Sequence, residues 1–450
     1  MPELMSTQIR PLEYRIERLV WLLDKLVDVP PEWIEEVKKM NRNGARKEFH
    51  CEPCSDYKVL INSWRKALKW TDGLDHALSV MLASVASTRA VGDQLWIKVV
   101  GPAACGKSTL SEAISVNKDY VVAKSTIRGL HSGWSKDDAG GKENSSLILK
   151  LKGKTLIIKD GDTLLQSPNL GQILAEFRDA YDRTCRSDYR NNMGMDHEGI
   201  DMTVIFCGTS SLRAIDSSEL GERTLDCVIM EEIEDELEDE ILWRVANRAD
   251  RNLSIETDGK PEAHYEPELA EAMSLTGGYV SYLRENASSV LASIDNPEPM
   301  RRYCTRLGKF VAHMRARPSL KQEESNEREF AARLVSQLIR LAKCLAFVFN
   351  KSVVDSEVMA RVRRVALDTS RGQTLAIAVH LYGVGDGSSS YPLAMLLGKS
   401  DEKVKAMLRF MKQIKIVESF TEEKGKGLGG RIKWRLTARM RRLYSDVMEG

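Results

Sequence analysis

The sequence predicts an α/β protein with a parallel sheet, because short apolar runs alternate with helical patterns between residues 94 and 230. Several of these runs are continuously apolar, as expected for parallel strands that are covered on both faces. Helical patterns flank the region on both sides, which indicates one α/β core with additional helical segments. The predicted strands are 94–101, 120–125, 154–160, 202–210 and 224–230.

The predicted domains follow from where the strand pattern begins and ends. Residues 1–75 carry helical patterns and form the predicted N-terminal helical domain, and residues 76–232 hold all the predicted strands of the sheet. Residues 233–370 are predicted to be helical throughout, and residues 371–450 to form a small C-terminal domain. Helices are expected at 8–45, 56–87, 170–183, 235–250, 266–293, 299–315 and 327–348.

The composition indicates a globular protein of the cell interior. The 450 residues are 42% apolar and 29% charged, and no apolar run approaches the roughly 20 residues of a bilayer span. The N-terminal segment has no apolar signal-peptide core. We therefore expect a cytoplasmic or nucleoid-associated protein without a membrane partner, with reduced cysteines. His50, Cys51 and Cys54 are candidate zinc ligands, but no second Cys-x-x-Cys or His pair completes the set.

A phosphate-binding loop is the strongest motif in the sequence. Residues 101–108 fit G-x-x-x-x-G-K-[ST] without a mismatch, after an apolar run and before a helical pattern. The glycines allow successive backbone N–H groups to point at phosphate oxygens. Lys107 is expected to place its charge on the β- and γ-phosphates, and Ser108 to offer a hydroxyl to Mg²⁺. The predicted site for ATP with Mg²⁺ consists of Gly101, Pro102, Ala103, Ala104, Cys105, Gly106, Lys107, Ser108 and Thr109.

The acids expected after the third strand leave two alternatives open. Sites of this class use an acid that holds the Mg²⁺ water shell, followed by a glutamate that polarises the attacking water. In one alignment Asp160 is the metal residue and Gly161 takes the glutamate position. In the other, Lys159 takes the metal position, Asp160 the glutamate position, and Asp162 is a third acid. Both place Asp160 in the site beside Ser108, and both predict slow or partner-dependent hydrolysis.

The order of segments from the loop onward resembles that of AAA+ ATPases and, among them, the minichromosome maintenance (MCM) helicases. Residues 120–130 resemble the family's second-strand segment, and residues 151–165 resemble its acidic strand. Residues 170–183 and 184–200 resemble its helix and the β-hairpin that faces a central pore. The fourth strand ends at Phe206-Cys-Gly-Thr-Ser, where the resemblance makes Thr209 the polar sensor.

Two arginines gain a role from the same resemblance. Residues 220–226 are similar to the Leu-x-x-Arg-Phe-Asp stretch that carries the arginine finger, so Arg223 is expected to reach the γ-phosphate of a neighbouring subunit. Residues 333–341 resemble the lid helix Arg-x-Leu-x-x-Leu-Ile-Arg-Leu, which makes Arg333 the second sensor. Arg284 is the alternative, because other AAA+ branches carry this residue after a segment like Thr276-Gly-Gly-Tyr.

The resemblance extends over about residues 90–365 and the C-terminal tail. It implies an AAA+ P-loop core, a helical lid over residues 233–370 and a homo-oligomeric ring, typically hexameric. Residues 1–75 do not resemble the family's oligonucleotide-binding domain.

The C-terminal tail is predicted to be a winged helix. Three helices at 373–381, 391–397 and 400–415, the last capped by Ser400, precede strands at 417–420 and 431–436 around a Gly/Lys-rich wing. Residues 401–450 hold 13 Lys and Arg against 7 Asp and Glu, which suits contact with phosphates. A winged helix that binds protein or regulates the ATPase stays open as an alternative. The residues predicted to contact DNA are Lys403, Lys405, Arg409, Lys426, Arg431 and Lys433, together with Arg186 and Arg190 in the predicted pore hairpin.

Two functions follow from these features. The first is a DNA-dependent ATPase that forms a ring and translocates on or unwinds single- or double-stranded DNA, with replication proteins as partners. The second is a nucleotide-switched helicase loader, initiator or regulator, which the unusual Lys159-Asp160-Gly161-Asp162 sequence favours. A signalling NTPase without a nucleic-acid ligand would require the basic tail to be incidental.

Overall fold

The computed structural model describes residues 49–448 with gaps at 131–145, 189–193, 215–219, 221–222, 230–234, 253–264, 317–329, 371 and 425–427. The strands are β1 Trp96–Val100, β2 Val121–Lys124, β3 Lys154–Ile158, β4 Thr184–Asp188, β5 Gly194–Glu198, β6 Met202–Gly208, β7 Thr224–Val228, β8 Val417–Lys424 and β9 Leu428–Leu436. The α-helices are α1 Tyr57–Ala67, α2 Asp72–Ala86, α3 Lys107–Ser115, α4 Leu147–Leu151, α5 Gly161–Leu165, α6 Leu170–Tyr181, α7 Asp235–Asn252, α8 Pro267–Ser293, α9 Glu298–Arg315, α10 Ala332–Val348, α11 Ser356–Thr369, α12 Gln373–Val384, α13 Ser390–Leu397, α14 Asp401–Gln413 and α15 Ala438–Met448.

A five-stranded parallel sheet lies at the centre, with the strand order β2-β3-β6-β1-β7. These are the five predicted strands, so the α/β class and the parallel sheet are confirmed. Successive side chains alternate between two hydrophobic clusters: Ile157 is buried on the face covered by α2, α3, α8 and α10, and Leu156 and Ile158 on the face covered by α4 and α6. Cover on both faces explains why the strands are continuously apolar.

One ion pair is buried within this sheet. Lys98 on β1 is directly opposite Asp226 on β7, and Lys98 Nζ lies 3.0 Å from Asp226 Oδ1. Both residues are about 6% exposed. Arg213, in the 3-10 helix after β6, lies 3.7 Å from the other carboxylate oxygen. The carboxylate therefore has two cationic neighbours, whereas Asp226 is the one acid that pairs with Lys98 among the described residues.

The described part of the N-terminal region belongs to the same core as the sheet. The predicted helical stretch 56–87 forms two helices, and α2 crosses the predicted domain boundary between residues 75 and 76. Trp64 on α1 is fully buried, and its indole N–H donates to Thr276 Oγ1 of α8 at 3.1 Å. The helix predicted at 8–45 lies outside the described residues.

Most of the helices after the sheet pack onto its α2 face. The predictions at 235–250, 266–293, 299–315 and 327–348 correspond to α7, α8, α9 and α10. Buried residues of α8, α9, α10 and α11 join the hydrophobic cluster of α2 and α3. In the part of the chain that the structure describes, we find no helix that combines the length and apolar character of a bilayer span.

The C-terminal segment consists of three helices, a hairpin and a final helix. α12, α13 and α14 precede the antiparallel pair β8–β9, and α15 follows. Ser400 is the N-cap residue of α14 as predicted, although its hydroxyl makes no capping hydrogen bond. Ser388 pairs with Trp434 of β9 as a short antiparallel bridge. The tail is anchored to the rest of the molecule, since the Tyr303 hydroxyl of α9 donates to Val447 O at 3.0 Å.

Candidate functional site

The phosphate loop connects the end of β1 to the start of α3 and depends on two glycines. Gly106 has a φ of +98° and is the N-cap residue of α3. Because glycine has no side chain, it makes no capping hydrogen bond to the amides of the first turn. A Cβ on it would lie 2.7 Å from Leu74 Cδ2, and one on Gly101 would lie 2.6 Å from Cys105 Sγ. Ala104 also has a left-handed φ, of +61°. The backbone is thus curled tightly, and in loops curled in this way successive N–H groups can point at an anion.

Lys107 is the first residue of α3, and its ammonium group turns back over the loop. Its Nζ donates to Gly101 O at 2.7 Å and also to Pro102 O. Ser108 is exposed beside it and Thr109 is partly buried. The arrangement brings an ammonium group, a hydroxyl and the positive end of a nine-residue helix to one place. Such a set can bind the phosphates of a nucleotide.

The sheet topology places this loop where open α/β sheets bind ligands. β1 lies between β6 and β7, so the chain continues on one side of β1 and then on the other. Ligands of such sheets bind at the carboxyl ends of the strands at this reversal. Thr209 after β6 and Asp160 and Asp162 after β3 lie at the same edge. Most of the predicted cis-acting residues are therefore at one edge of the sheet.

The two predicted acids have different partners. Asp160 caps α5: its carboxylate accepts from Thr163 N at 3.0 Å and from the Thr163 hydroxyl. The hydrogen bond from that hydroxyl is the main cause that holds the pKa of Asp160 below its ordinary value. Asp162 instead binds Thr209, accepting from its N–H at 2.8 Å and from its hydroxyl at 3.1 Å. Asp162 therefore links the ends of β3 and β6, and it positions the predicted sensor.

A lysine and a glutamate that no sequence motif links lie beside the loop. Lys159, directly after β3, places its Nζ 3.2 Å from Glu112 Oε1 of α3. Glu112 is one helical turn after Ser108, so this pair lies on the side of α3 next to the predicted metal hydroxyl. Glu112 had no motif to mark it in the sequence, and its position on the loop helix was the only available signal.

Arg223 and Arg333 converge on one aromatic side chain. Their guanidinium carbons lie 5.5 and 5.6 Å from the centre of the Tyr181 ring. Arg223 also pairs with Asp182 at 2.8 Å, and Arg333 lies 3.9 Å from Asp93. The sequence predicted the two arginines separately and gave no signal for Tyr181, which ends α6.

This arginine pair lies at the opposite edge of the sheet from the phosphate loop. Arg223 immediately precedes β7, and Asp93 precedes β1, whereas the loop follows β1. Five strand residues separate the two edges, which is about 16 Å at roughly 3.3 Å per residue. Within one chain, neither arginine is near the loop.

Arg284, the alternative second sensor, is an internal residue. It is 9% exposed, and its guanidinium donates to Val85 O at 3.2 Å and Gly153 O at 2.9 Å. Burial lowers the pKa of Arg284 to about 10. Gly153 precedes β3, so this arginine also lies at the edge away from the loop and ties three elements together.

The start of α2 is joined to α11 by charged residues close to the loop. Arg361 donates to Asp72 at 2.9 Å and to Asp75, and Arg364 also contacts Asp72. Leu74, between the two acids, is the residue that packs against Gly106. The sequence motifs did not predict this link, and the Arg-x-Arg-Arg run of α11 is the sequence feature that could have indicated it.

A buried histidine lies close to these charged residues of α2 and α11. His76 is fully buried, and its Nε2 lies 3.7 Å from Asp368 Oδ2. Asp368 in turn accepts from Val228 N of β7 at 2.8 Å. Burial is the main cause that lowers the pKa of His76.

The predicted DNA-contacting residues are only partly within the described residues. In the hairpin β4–β5, Arg186 is opposite Asp196, and Arg190 at the tip lies outside the described residues, as does Lys426 in the wing. Lys405 pairs with Asp401, and Lys433 with Glu422, each at 2.6 Å. Of the residues predicted to contact DNA, Lys403, Lys405 and Arg409 on α14 and Arg431 on β9 are exposed.

The zinc hypothesis for His50, Cys51 and Cys54 finds no cluster in the structure. Among the described residues, which include these three, no group of three or more His, Cys, Asp or Glu side chains is arranged to hold a metal ion. Cys54 is buried, and its thiol donates weakly to Asp56 O at 3.6 Å. Burial raises the pKa of this thiol.

Comparison of the sequence with protein-family models and with curated proteins finds no match. The fold and the site therefore define the class only at the level of an α/β protein with a tightly curled, glycine-containing loop at the carboxyl edge of a parallel sheet.

Proposed function

We propose that this chain binds ATP at the phosphate loop and hydrolyses it. The observation that carries the proposal is the turn from β1 into α3, where Gly106 is left-handed and Lys107 stands over the loop carbonyls. Amides, ammonium and helix N-terminus together favour a triphosphate over a singly charged anion. In this proposal Thr209, held by Asp162, orients the attacking water or senses the γ-phosphate.

The second part of the proposal is a homo-oligomeric, hexameric ring in which Arg223 and Arg333 act on a neighbour's nucleotide. Their position at the edge opposite their own loop supports action in trans, because neither is near its own site. Both guanidinium groups lie over the Tyr181 ring, which brings the two cations close to each other. An arginine offered to the γ-phosphate offsets charge in the transition state.

DNA is the proposed partner of the ring. The order of three helices, a hairpin and a bridge to Ser388 supports a winged helix in the C-terminal segment. The exposed cations of α14 and β9 suit phosphate contacts. With the MCM-like segment order, this favours a helicase or translocase of the AAA+ kind, located in the cytoplasm or on the nucleoid with replication partners.

The sequence predicted that Mg²⁺ accompanies the nucleotide, with Ser108 and Asp160 as its residues. The carboxylates near the loop are engaged within the chain: Asp160 caps α5, Asp162 binds Thr209, and Glu112 of α3 pairs with Lys159. This donor set does not fit a metal ion held by carboxylates, so we assign no step of the hydrolysis to a metal ion.

A nucleotide-switched loader or regulator is the second candidate. The observation that favours it is Lys159 at the end of β3. Fast hydrolysis requires an acidic residue at that position, and here a lysine occupies it. Such a protein would bind ATP, change partner and turn over slowly.

The test is ATP hydrolysis by the full chain, with and without single- or double-stranded DNA. Lys107→Ala should lower ATP affinity or turnover at least about 100-fold, since it removes the charge on the β- and γ-phosphates. Lys309→Ala, an exposed lysine of α9, is the matched control and should leave both unchanged. Full activity in the Lys107 variant would overturn the proposal.

DNA stimulation separates the two candidates. A motor should hydrolyse faster on DNA, and Arg409→Ala should weaken DNA binding with a shallower salt dependence. A switch should show slow hydrolysis that DNA does not change. Asp160→Asn and Asp162→Asn, measured separately, identify the acid on which turnover depends.

A further inference from the structure

The end of β3 carries a lysine on the side of the sheet that faces the phosphate loop helix. Ile157 is buried in the cluster with α3, and Ile158 in the cluster on the other face. Because successive strand residues alternate, Lys159 emerges on the α3 side. Ile158 is level with Phe206, so Lys159 is level with Cys207 near the end of β6.

The ammonium group of Lys159 is close to the loop and can change partner. It contacts Glu112 Oε1 at 3.2 Å, one turn beyond Ser108 on α3. The two side chains are 29% and 38% exposed, and pairs this exposed contribute little to stability. A polyphosphate, with several charges, would compete well with the single carboxylate.

Two lysines converge on the same place. Burial raises the pKa of the Cys207 thiol to about 12, and the charges of Lys107 and Lys159 both act against that rise. The geometry agrees: Lys107 Nζ donates to Gly101 O, and Gly101 N donates to Gly208 O at 3.2 Å. Lys159 is level with Cys207, so both ammonium groups lie near the end of β6. Asp160 and Asp162, the nearby carboxylates, are bound to Thr163 and Thr209.

We propose that Lys159 takes the place of the divalent cation at this site, so that the chain binds nucleoside triphosphates in the absence of metal. On binding, the ammonium group of Lys159 moves from Glu112 to a phosphate oxygen, and Lys107 contacts the opposite side of the triphosphate. This inference rests on the proposed nucleotide site and concerns what neutralises the bound phosphates there.

The experiment is a titration of the full chain with a fluorescent ATP analogue, once with Mg²⁺ and once with excess EDTA. The two dissociation constants should agree within about threefold. Lys159→Met should weaken binding in EDTA about tenfold or more, and Lys159→Arg should retain most of it. Lys154→Ala, on the same strand at its opposite end, is the matched control.

A second variant tests the exchange of partners. Glu112→Gln removes the competing carboxylate, so binding in EDTA should tighten several-fold. Binding that requires Mg²⁺ and is unchanged in Lys159→Met would overturn the inference while the nucleotide site remains. Failure to bind in both conditions would instead overturn the proposed function, and the inference with it.

Discussion

Replacing Gly106 by alanine tests the most constrained position of the phosphate loop. The φ of +98° is left-handed, and there an L-residue costs about 1–2 kcal/mol more than glycine. The added Cβ would meet Leu74 Cδ2 at 2.7 Å. That contact adds little, because the end of a leucine side chain can move to another rotamer.

The strain of the alanine variant should lower either the free energy of unfolding or the affinity for ATP. A loop that keeps its conformation with alanine loses about 1–2 kcal/mol of unfolding free energy and binds ATP as before. A loop that relaxes to negative φ keeps its stability but turns its amides away, and affinity falls by about 5- to 30-fold. The two losses together are therefore expected to total about 1–2 kcal/mol in either case.

The assay combines urea unfolding, followed by tryptophan fluorescence, with titration of a fluorescent ATP analogue. The Leu74→Ala background removes the close contact, so the loss that remains there measures the backbone strain alone. Gly171→Ala is the matched control, because a Cβ on that helical glycine meets nothing within 4 Å. It should stabilise the protein by up to about 1 kcal/mol.

A Gly106→Ala variant that loses neither stability nor affinity would refute the reasoning. It would mean that the loop does not hold a left-handed glycine, and the geometry on which the nucleotide site depends would be absent.

Three further predictions follow from other parts of the structure. Arg223→Ala should lower ATP turnover by about 10³-fold with little change in ATP affinity. Mixing this variant with subunits that lack Lys107 should restore activity. A loss of affinity alone would contradict the action of Arg223 on a neighbouring subunit. Asp226→Leu leaves Lys98 buried without its acid and should cost about 3–5 kcal/mol of unfolding free energy. Lys98→Met should cost less, because Arg213 still faces the Asp226 carboxylate. Equal losses of the two variants in urea unfolding would argue against this. Burial keeps the pKa of His76 below 6.5, so the unfolded chain takes up a proton that the folded chain does not, and stability should fall as the pH drops below 6.5. His76→Phe should flatten that part of the melting-temperature profile, and an unchanged profile would show that another group causes it.

The sequence was sufficient for the local features of this protein. Continuous apolar runs predicted the five strands because strands covered on both faces have no polar side to interrupt them. The glycine spacing predicted the phosphate loop, since a left-handed residue before Lys107 requires glycine. Ser400 was correctly predicted to precede α14, as capping preferences are local.

Relations between distant segments depended on the tertiary structure. Spacing alone left open whether Asp160 or Lys159 takes the metal position after the third strand. The structure adds a contact that spacing cannot give: Lys159 lies on the α3 side of the sheet, beside Glu112. The meeting of Arg223 and Arg333 at Tyr181 joins residues more than 100 positions apart. Contacts of this kind depend on how the helices pack over the sheet, and periodicity within one segment carries no information about that packing.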